Sequence, residues 1–196
     1  MKLTSILAIA AVVATTGAAT ALLTGCVPAI VAAGVGGATL VATDRRSVGA
    51  QADDEAIELK IATNINNRYG ERVHAISTSY NGIVLLSGEV PDQETLASIG
   101  NIARNTERVR AVHNELAIGP NTTLSQRSND TFITSKVKTR FVEANKFSAT
   151  HVKVVTERGT VYLMGIVSRA EGDTAGQIAS ATSGVVRVVK LFEYMS

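Results

Sequence analysis

The chain has 196 residues, 45% of them hydrophobic and 4% aromatic, with 19 Lys and Arg against 17 Asp and Glu for a net charge of +2. A balance this close to neutral argues against a general nucleic-acid binder, which needs a basic face to displace counterions. One cysteine and three histidines (His74, His113 and His151), with no HxxxH, HxH or Cys/His spacing, give no metal motif, and neither a metal nor a cofactor is expected.

In chain order, Lys2 supplies a positive n-region, Ile6 to Leu23 form an uncharged apolar run, and Thr24-Gly25 are the small residues of a cleavage site. Residues 1–25 therefore read as a signal peptide. Leu23-Thr24-Gly25-Cys26 resembles the lipobox of bacterial lipoproteins, which implies cleavage before Cys26, a diacylglycerol thioether on its sulfur and acylation of the new N-terminus. Several chains on one residue exceed the two signals that stable anchoring requires. The alternative is an uncleaved signal anchor, marginal against the ~20 residues of a span. Val27 follows the cysteine, not the Asp that retains lipoproteins in the inner membrane. This resembles an outer-membrane address with the chain on the periplasmic side. Acylated Cys26 leaves no thiol for a disulfide, so stability rests on packing. Residues 26–50 read as the lipidated cysteine and a Gly/Ala-rich tether.

From residue 51 the chain repeats itself. A helix is expected after the capping pair Asp53-Asp54, with Ile57, Ile61 and Ile65 on one face. Strands over 75–80 and 83–89 follow, joined by the hairpin pair Asn81-Gly82. A second helix starts at Pro91 or Asp92, with Leu96, Ile99 and Ala103 on one face, and a last strand covers 109–116. Gly119-Pro120-Asn121 marks a boundary. At an offset of 77, His74, Gly82, Val84, Leu86, Gly88, Val90, Glu94, Val109 and Val112 meet identical residues in the second copy. Upstream the offset is 76, so Ile57, Ile61 and Ile65 meet Ile133, Val137 and Phe141 behind Asn129-Asp130. The expected fold is α+β: two tandem α-β-β-α-β domains (51–119 and 120–196), each a three-stranded mixed sheet with two helices on one face. Units of this size are marginal alone, so the copies are expected to pack together.

This order, with Gly82 and Gly88 or Gly159 and Gly165 bracketing the second strand, resembles the BON domain. Two such domains behind a lipobox resemble the dual-BON outer-membrane lipoproteins, as do Thr43-Asp44-Arg45-Arg46-Ser47-Val48-Gly49, Ser128-Asn129-Asp130-Thr131 and Val161-Tyr162-Leu163-Met164-Gly165. Two departures stand out. Glu107-Arg108 replaces the Gly-Val seen as Gly184-Val185, which leaves the first copy's helix-to-strand turn open because Glu tolerates positive φ poorly. Arg158-Gly159 replaces Asn-Gly, so a longer or bulged second hairpin is expected.

No acid–base pair, nucleophile or phosphate-cradling loop is found, and an enzyme is not expected. The repeat-equivalent His74 and His151 read as structural. Charge is unevenly spread: residues 51–120 carry 6 basic and 10 acidic side chains, residues 121–196 carry 10 and 6. That asymmetry fits either an anionic surface or mutual attraction of the halves. The second copy's opening helix places Phe132, Ser135, Lys136 and Thr139 opposite its buried face, flanked by Lys138 and Arg140. Its counterpart offers Leu59, Lys60 and Thr63 beside Asp54, Glu55 and Glu58. By the residues alone, Phe132 either enters an acyl boundary ringed by cations or packs on the first domain. The resemblance implies the former, with this helix contacting an anionic phospholipid such as phosphatidylglycerol, and a role in envelope integrity at division sites. The alternative is a protein-interaction adaptor in cell-wall hydrolase regulation or outer-membrane assembly.

Overall fold

The computed structural model describes residues 44–195. The first copy runs α1 (Val48–Tyr69), β1 (His74–Tyr80), β2 (Ile83–Val90), α2 (Gln93–Arg104), β3 (Ala111–Asn114) and β4 (Ala117–Ile118). The second runs α3 (Leu124–Ala144), β5 (Lys153–Glu157), β6 (Thr160–Val167), α4 (Arg169–Ser180) and β7 (Arg187–Tyr194). The signal peptide, Cys26 and the tether up to residue 43 lie outside the described residues.

Asp53-Asp54 and Asn129-Asp130 do not cap the opening helices. Both helices begin two turns earlier, at Ser47 and Thr123, whose side chains accept the N–H groups of Ala50 and Gln126. Asp54 and Asp130 sit within the helices, 2% and 5% exposed. Their carboxylates accept the backbone N–H groups of the hairpin turns: Asn81 (2.7 Å) and Gly82 (2.8 Å) on Asp54, Arg158 and Gly159 (both 2.9 Å) on Asp130. Asn81-Gly82 and Arg158-Gly159 all have positive φ, as a two-residue type I′ hairpin requires. The second turn is therefore as tight as the first. An arginine holds φ 51° there because the carboxylate beneath it satisfies both N–H groups.

The helix-to-strand turn of the first copy also forms. Val109 donates to Thr106 O as Val185 donates to Thr182 O, and Arg108 (φ 69°) stands where Gly184 (φ 96°) stands. The repeat offset thus returns to 76 after β2, with Pro91 as the extra residue, and Val109 corresponds to Val185, not Val186. The last strand of the first copy is broken into β3 and β4, the break lying where Asn114 Oδ1 accepts from Leu116 N.

β1 pairs with β2 antiparallel, and β2 with β3 and β4 parallel; β5–β6 is antiparallel and β6–β7 parallel. The expected α+β class, with two helices packed on a mixed sheet in each copy, is borne out. Alternation along the strands gives each sheet two apolar faces. Val84, Leu86 and Val90 pack under Ile57, Ile61, Ile65 and Ile99, while Val161, Leu163 and Val167 pack under Ile133, Val137 and Phe141. The other faces meet: Tyr80 and Leu85 cluster with Tyr162, Met164 and Leu191, joining the two sheets. Charge pairs ring that contact, Lys153 with Glu58 (2.9 Å), Arg110 with Glu193 (3.0 Å) and Arg187 with Glu115 (3.2 Å). Part of the opposite charge of the halves is consumed in holding them together. The N-terminal segment is pinned as well, Arg45 donating to Ile166 O (2.9 Å) and Glu171, and Arg46 bonding Asp44 and Asp54 while lying 4.1 Å from the Tyr80 ring centroid.

Candidate functional site

The opening helix of the second copy, α3, shows why one of its faces stays uncovered. Its buried stripe is Asp130, Ile133, Val137 and Phe141, a spacing of three and four that fits one side of a helix. At 100° per residue Phe132 cannot join that stripe, and its ring is 62% exposed. It does not pack on the first domain. Lys136, one turn on, places Nζ 4.8 Å from the ring centroid, a cation–π contact.

The turn after α4 forms the opposite wall. Gly184 needs its positive φ there, and a Cβ on it would meet Ile133 Cγ1 at 3.1 Å, so glycine lets this turn lie against α3. Lys136 Nζ donates to Ser183 O, and Arg140 donates to Ala181 O and to Thr182 Oγ1 (3.3 Å). These acceptors are carbonyls and a hydroxyl, not carboxylates, so the two side chains are held in place without forming an ion pair there. The result is an open groove of about 480 Å³ lined by Phe132, Ser135, Lys136, Thr139 and Arg140.

Five of the six residues expected at this site are thus gathered on one surface. Lys138 is exposed but lies six residues from Phe132, about 120° around the helix, and does not line the groove. Glu143, Thr182 and Ser183 line it without having been anticipated. Glu143 sits one turn past Thr139 and was legible from periodicity. The other two come from the far wall, and no local pattern announces them.

The equivalent groove of the first copy differs in chemistry. Ala56 occupies the place of Phe132, and Glu107 stands where Ser183 would be, paired with Lys60 at 3.2 Å. The nearby Lys60 holds the Glu107 carboxyl below its usual range. Lys60 is engaged by a carboxylate on the surface, and no aromatic lines the groove beside it.

His74 and His151 occupy corresponding strand entries but have different neighbours. His74 Nδ1 lies 3.1 Å from Glu89 Oε2, and His151 Nδ1 lies 3.6 Å from Glu171 Oε1. No helix among the described residues is long and apolar enough to cross a membrane.

Comparison with known proteins adds family context. The BON domain family model matches residues 53–120 and 129–195. Outer membrane lipoprotein DolP of Haemophilus influenzae is 39% identical over 181 residues, covering 90% of this chain and 92% of the relative. A 21 kDa hemolysin of Actinobacillus pleuropneumoniae is 36% identical, covering 78% and 79%. Osmotically-inducible protein Y of Escherichia coli is 30% identical, covering 76% of each chain.

Proposed function

The chain belongs to the BON domain family and, within it, to the family of outer membrane lipoprotein DolP, and from that membership we propose a periplasm-facing outer-membrane lipoprotein, without catalytic activity, that binds anionic phospholipid through α3. Cys26 carries the acyl chains in this reading, and the tether lets residues 44–195 reach the leaflet. The observation that carries it is the uncovered Phe132 ring beside Lys136 and Arg140. Burying the exposed part of one Phe is worth about 1–2 kcal/mol. Each basic side chain near an anionic surface adds about 1 kcal/mol. That sum is weak for a free protein, but it suffices for one already confined at a membrane, because the tether raises the local concentration. Phosphatidylglycerol-like headgroups supply the matching negative charge, and enrichment of such lipids would direct the protein to division sites or other distinct zones in support of envelope integrity.

Residues 42–196 form one compact unit, so a soluble fragment of them is the reagent of choice. It is expected to sediment with vesicles containing phosphatidylglycerol, to leave phosphatidylcholine vesicles unbound, and to lose binding in Phe132→Glu. Equal binding to both vesicles, or unchanged binding in Phe132→Glu, would count against the reading. Glu143 on the groove rim favours a second reading, a protein partner that offers a cation there. A photocrosslinker at position 132 separates the two, giving a lipid adduct in the first case and a protein adduct in the second.

A further inference from the structure

The contact between the sheets buries more than apolar side chains. Glu89, in β2, is fully buried, and Glu157, at the end of β5, is 8% exposed. His74, which opens β1, joins them, and one donor atom from each of the three lies within 4.8 Å of the others. Glu89 Oε2 accepts from Thr122 N (3.0 Å) and Thr122 Oγ1 (3.1 Å) and faces His74 Nδ1. The remaining oxygen of Glu89 and Oε1 of Glu157 are buried without any hydrogen-bond partner. Unpaired carboxylate oxygens in the interior are rare because desolvation is so costly, and each asks for an explanation. The neighbouring cation does not resolve this. Arg127 gives its Nε and Nη2 hydrogens to Thr122 O (3.2 and 2.9 Å), and among the described residues it forms no ion pair.

We propose that His74, Glu89 and Glu157 ligate one divalent cation, Zn²⁺ by preference, between the two BON domains. One imidazole and two carboxylates without a thiolate suit a first-row ion, and the half-buried imidazole disfavours Mg²⁺ and Ca²⁺, which take all-oxygen shells. The two unpartnered oxygens, Glu89 Oε1 and Glu157 Oε1, leave each carboxylate a lone-pair donor that no protein hydrogen bond uses. Thr122, bonding the other oxygen of Glu89, orients that ligand as outer-shell partners do. Three protein donors leave a fourth position for water or substrate-like ligands, as in open zinc sites. Because His74 and Glu89 belong to the first domain and Glu157 to the second, the ion would clip the domains together.

The test uses the full chain in detergent micelles after chelator treatment. Zn²⁺ at a hundredfold excess over its dissociation constant is expected to raise Tm by about 5–10 °C, with one ion bound per chain and no rise with Mg²⁺ or Ca²⁺. Glu157→Gln removes a buried charge and so keeps the fold; it is expected to lose the rise, as is His74→Gln. An unmoved Tm in the wild-type chain, or a rise that persists in Glu157→Gln, would overturn the proposal.

Discussion

Asp54 and its repeat-mate Asp130 both hold a hairpin turn, but Asp54 also binds two donors, Ser79 Oγ and Arg46, that have no counterpart at Asp130, and replacing each aspartate by alanine measures the difference. Asp54 accepts from Ser79 Oγ (2.6 Å), Asn81 N (2.7 Å), Gly82 N (2.8 Å) and Arg46 (2.9 Å). Burial pushes its carboxyl up, but the bonds from Ser79, Gly82, Asn81 and Arg46 outweigh that and hold it below the usual range. Asp54→Ala strands two buried donors, Ser79 Oγ and Gly82 N, and two half-buried donors, Asn81 N and Arg46 Nη1, that water can reach. At about 1–3 kcal/mol per buried donor left unmatched, the loss comes to about 3–5 kcal/mol. Asp130→Ala strands only Gly159 N and, in part, Arg158 N, for about 1.5–3 kcal/mol. Urea unfolding of the 42–196 fragment followed by circular dichroism, with a common m-value, measures both. A loss under about 1 kcal/mol for Asp54→Ala, or one no larger than that of Asp130→Ala, would refute this account of the turns.

Three other outcomes follow from the same structure. The Arg45 hydrogen bonds hold the Glu171 carboxyl down at about 2, against 4.5 when free. The folded state therefore binds fewer protons than the unfolded one as pH falls, and this contribution is complete above pH 4.5 and lost on the way down to 2. The stability difference between wild type and Glu171→Gln should shrink over that window in urea midpoints, and a constant difference would contradict it. A Cβ at Gly88 would stand 1.9 Å from His74 O, and one at Gly165 2.2 Å from His151 O. Gly88→Ala and Gly165→Ala should each destabilise by about 3 kcal/mol or more in the same assay, by forcing apart backbone segments that now touch. Leu85→Ala removes a fully buried side chain from the sheet–sheet contact and should cost about 2–5 kcal/mol, with calorimetry showing two transitions where the wild type shows one.

Local pattern carried most of the architecture. Isoleucines at positions 57, 61 and 65 declared a helix face, Asn81-Gly82 a hairpin, and the recurring glycines a duplication. What it could not carry were long-range partnerships. Asp54 looks like a helix cap because acidic residues commonly stand at such ends, and only the hairpin lying over it shows that its acceptors are used there. The second hairpin looked longer because arginine rarely holds positive φ, and the stabilising carboxylate lies 28 residues away. The repeat register after β2 is ambiguous in the sequence because valines match at either offset, while the hydrogen bonds of the turn accept only one. The aromatic ring of the candidate site was legible from helical phase, but the carbonyls that hold Lys136 and Arg140 come from a turn more than 40 residues on. The trio of half-buried His74 and buried Glu89 and Glu157 meets only because the sheets pack face to face.

The two grooves offer a direct trial of which chemistry matters. Volume does not distinguish them, since the first copy's groove, at about 620 Å³, is no smaller. The first groove lacks the ring, having Ala56 in place of Phe132, and its Lys60 is paired with Glu107, which leaves Arg68 as the cation on its lining without a carboxylate partner among the described residues. In a Phe132→Ala background, Ala56→Phe alone should leave binding to phosphatidylglycerol vesicles nearly unchanged. Adding Glu107→Ser frees Lys60, and the ring and ammonium then act together. Restoring about 1–2 kcal/mol corresponds to roughly 5–30-fold tighter binding. If the single graft restores as much as the pair, the release of Lys60 has no part in recognition. If the double graft restores nothing, a ring and a released lysine are insufficient, and the ordered carbonyl wall that holds Lys136 and Arg140 in the second copy becomes the decisive feature.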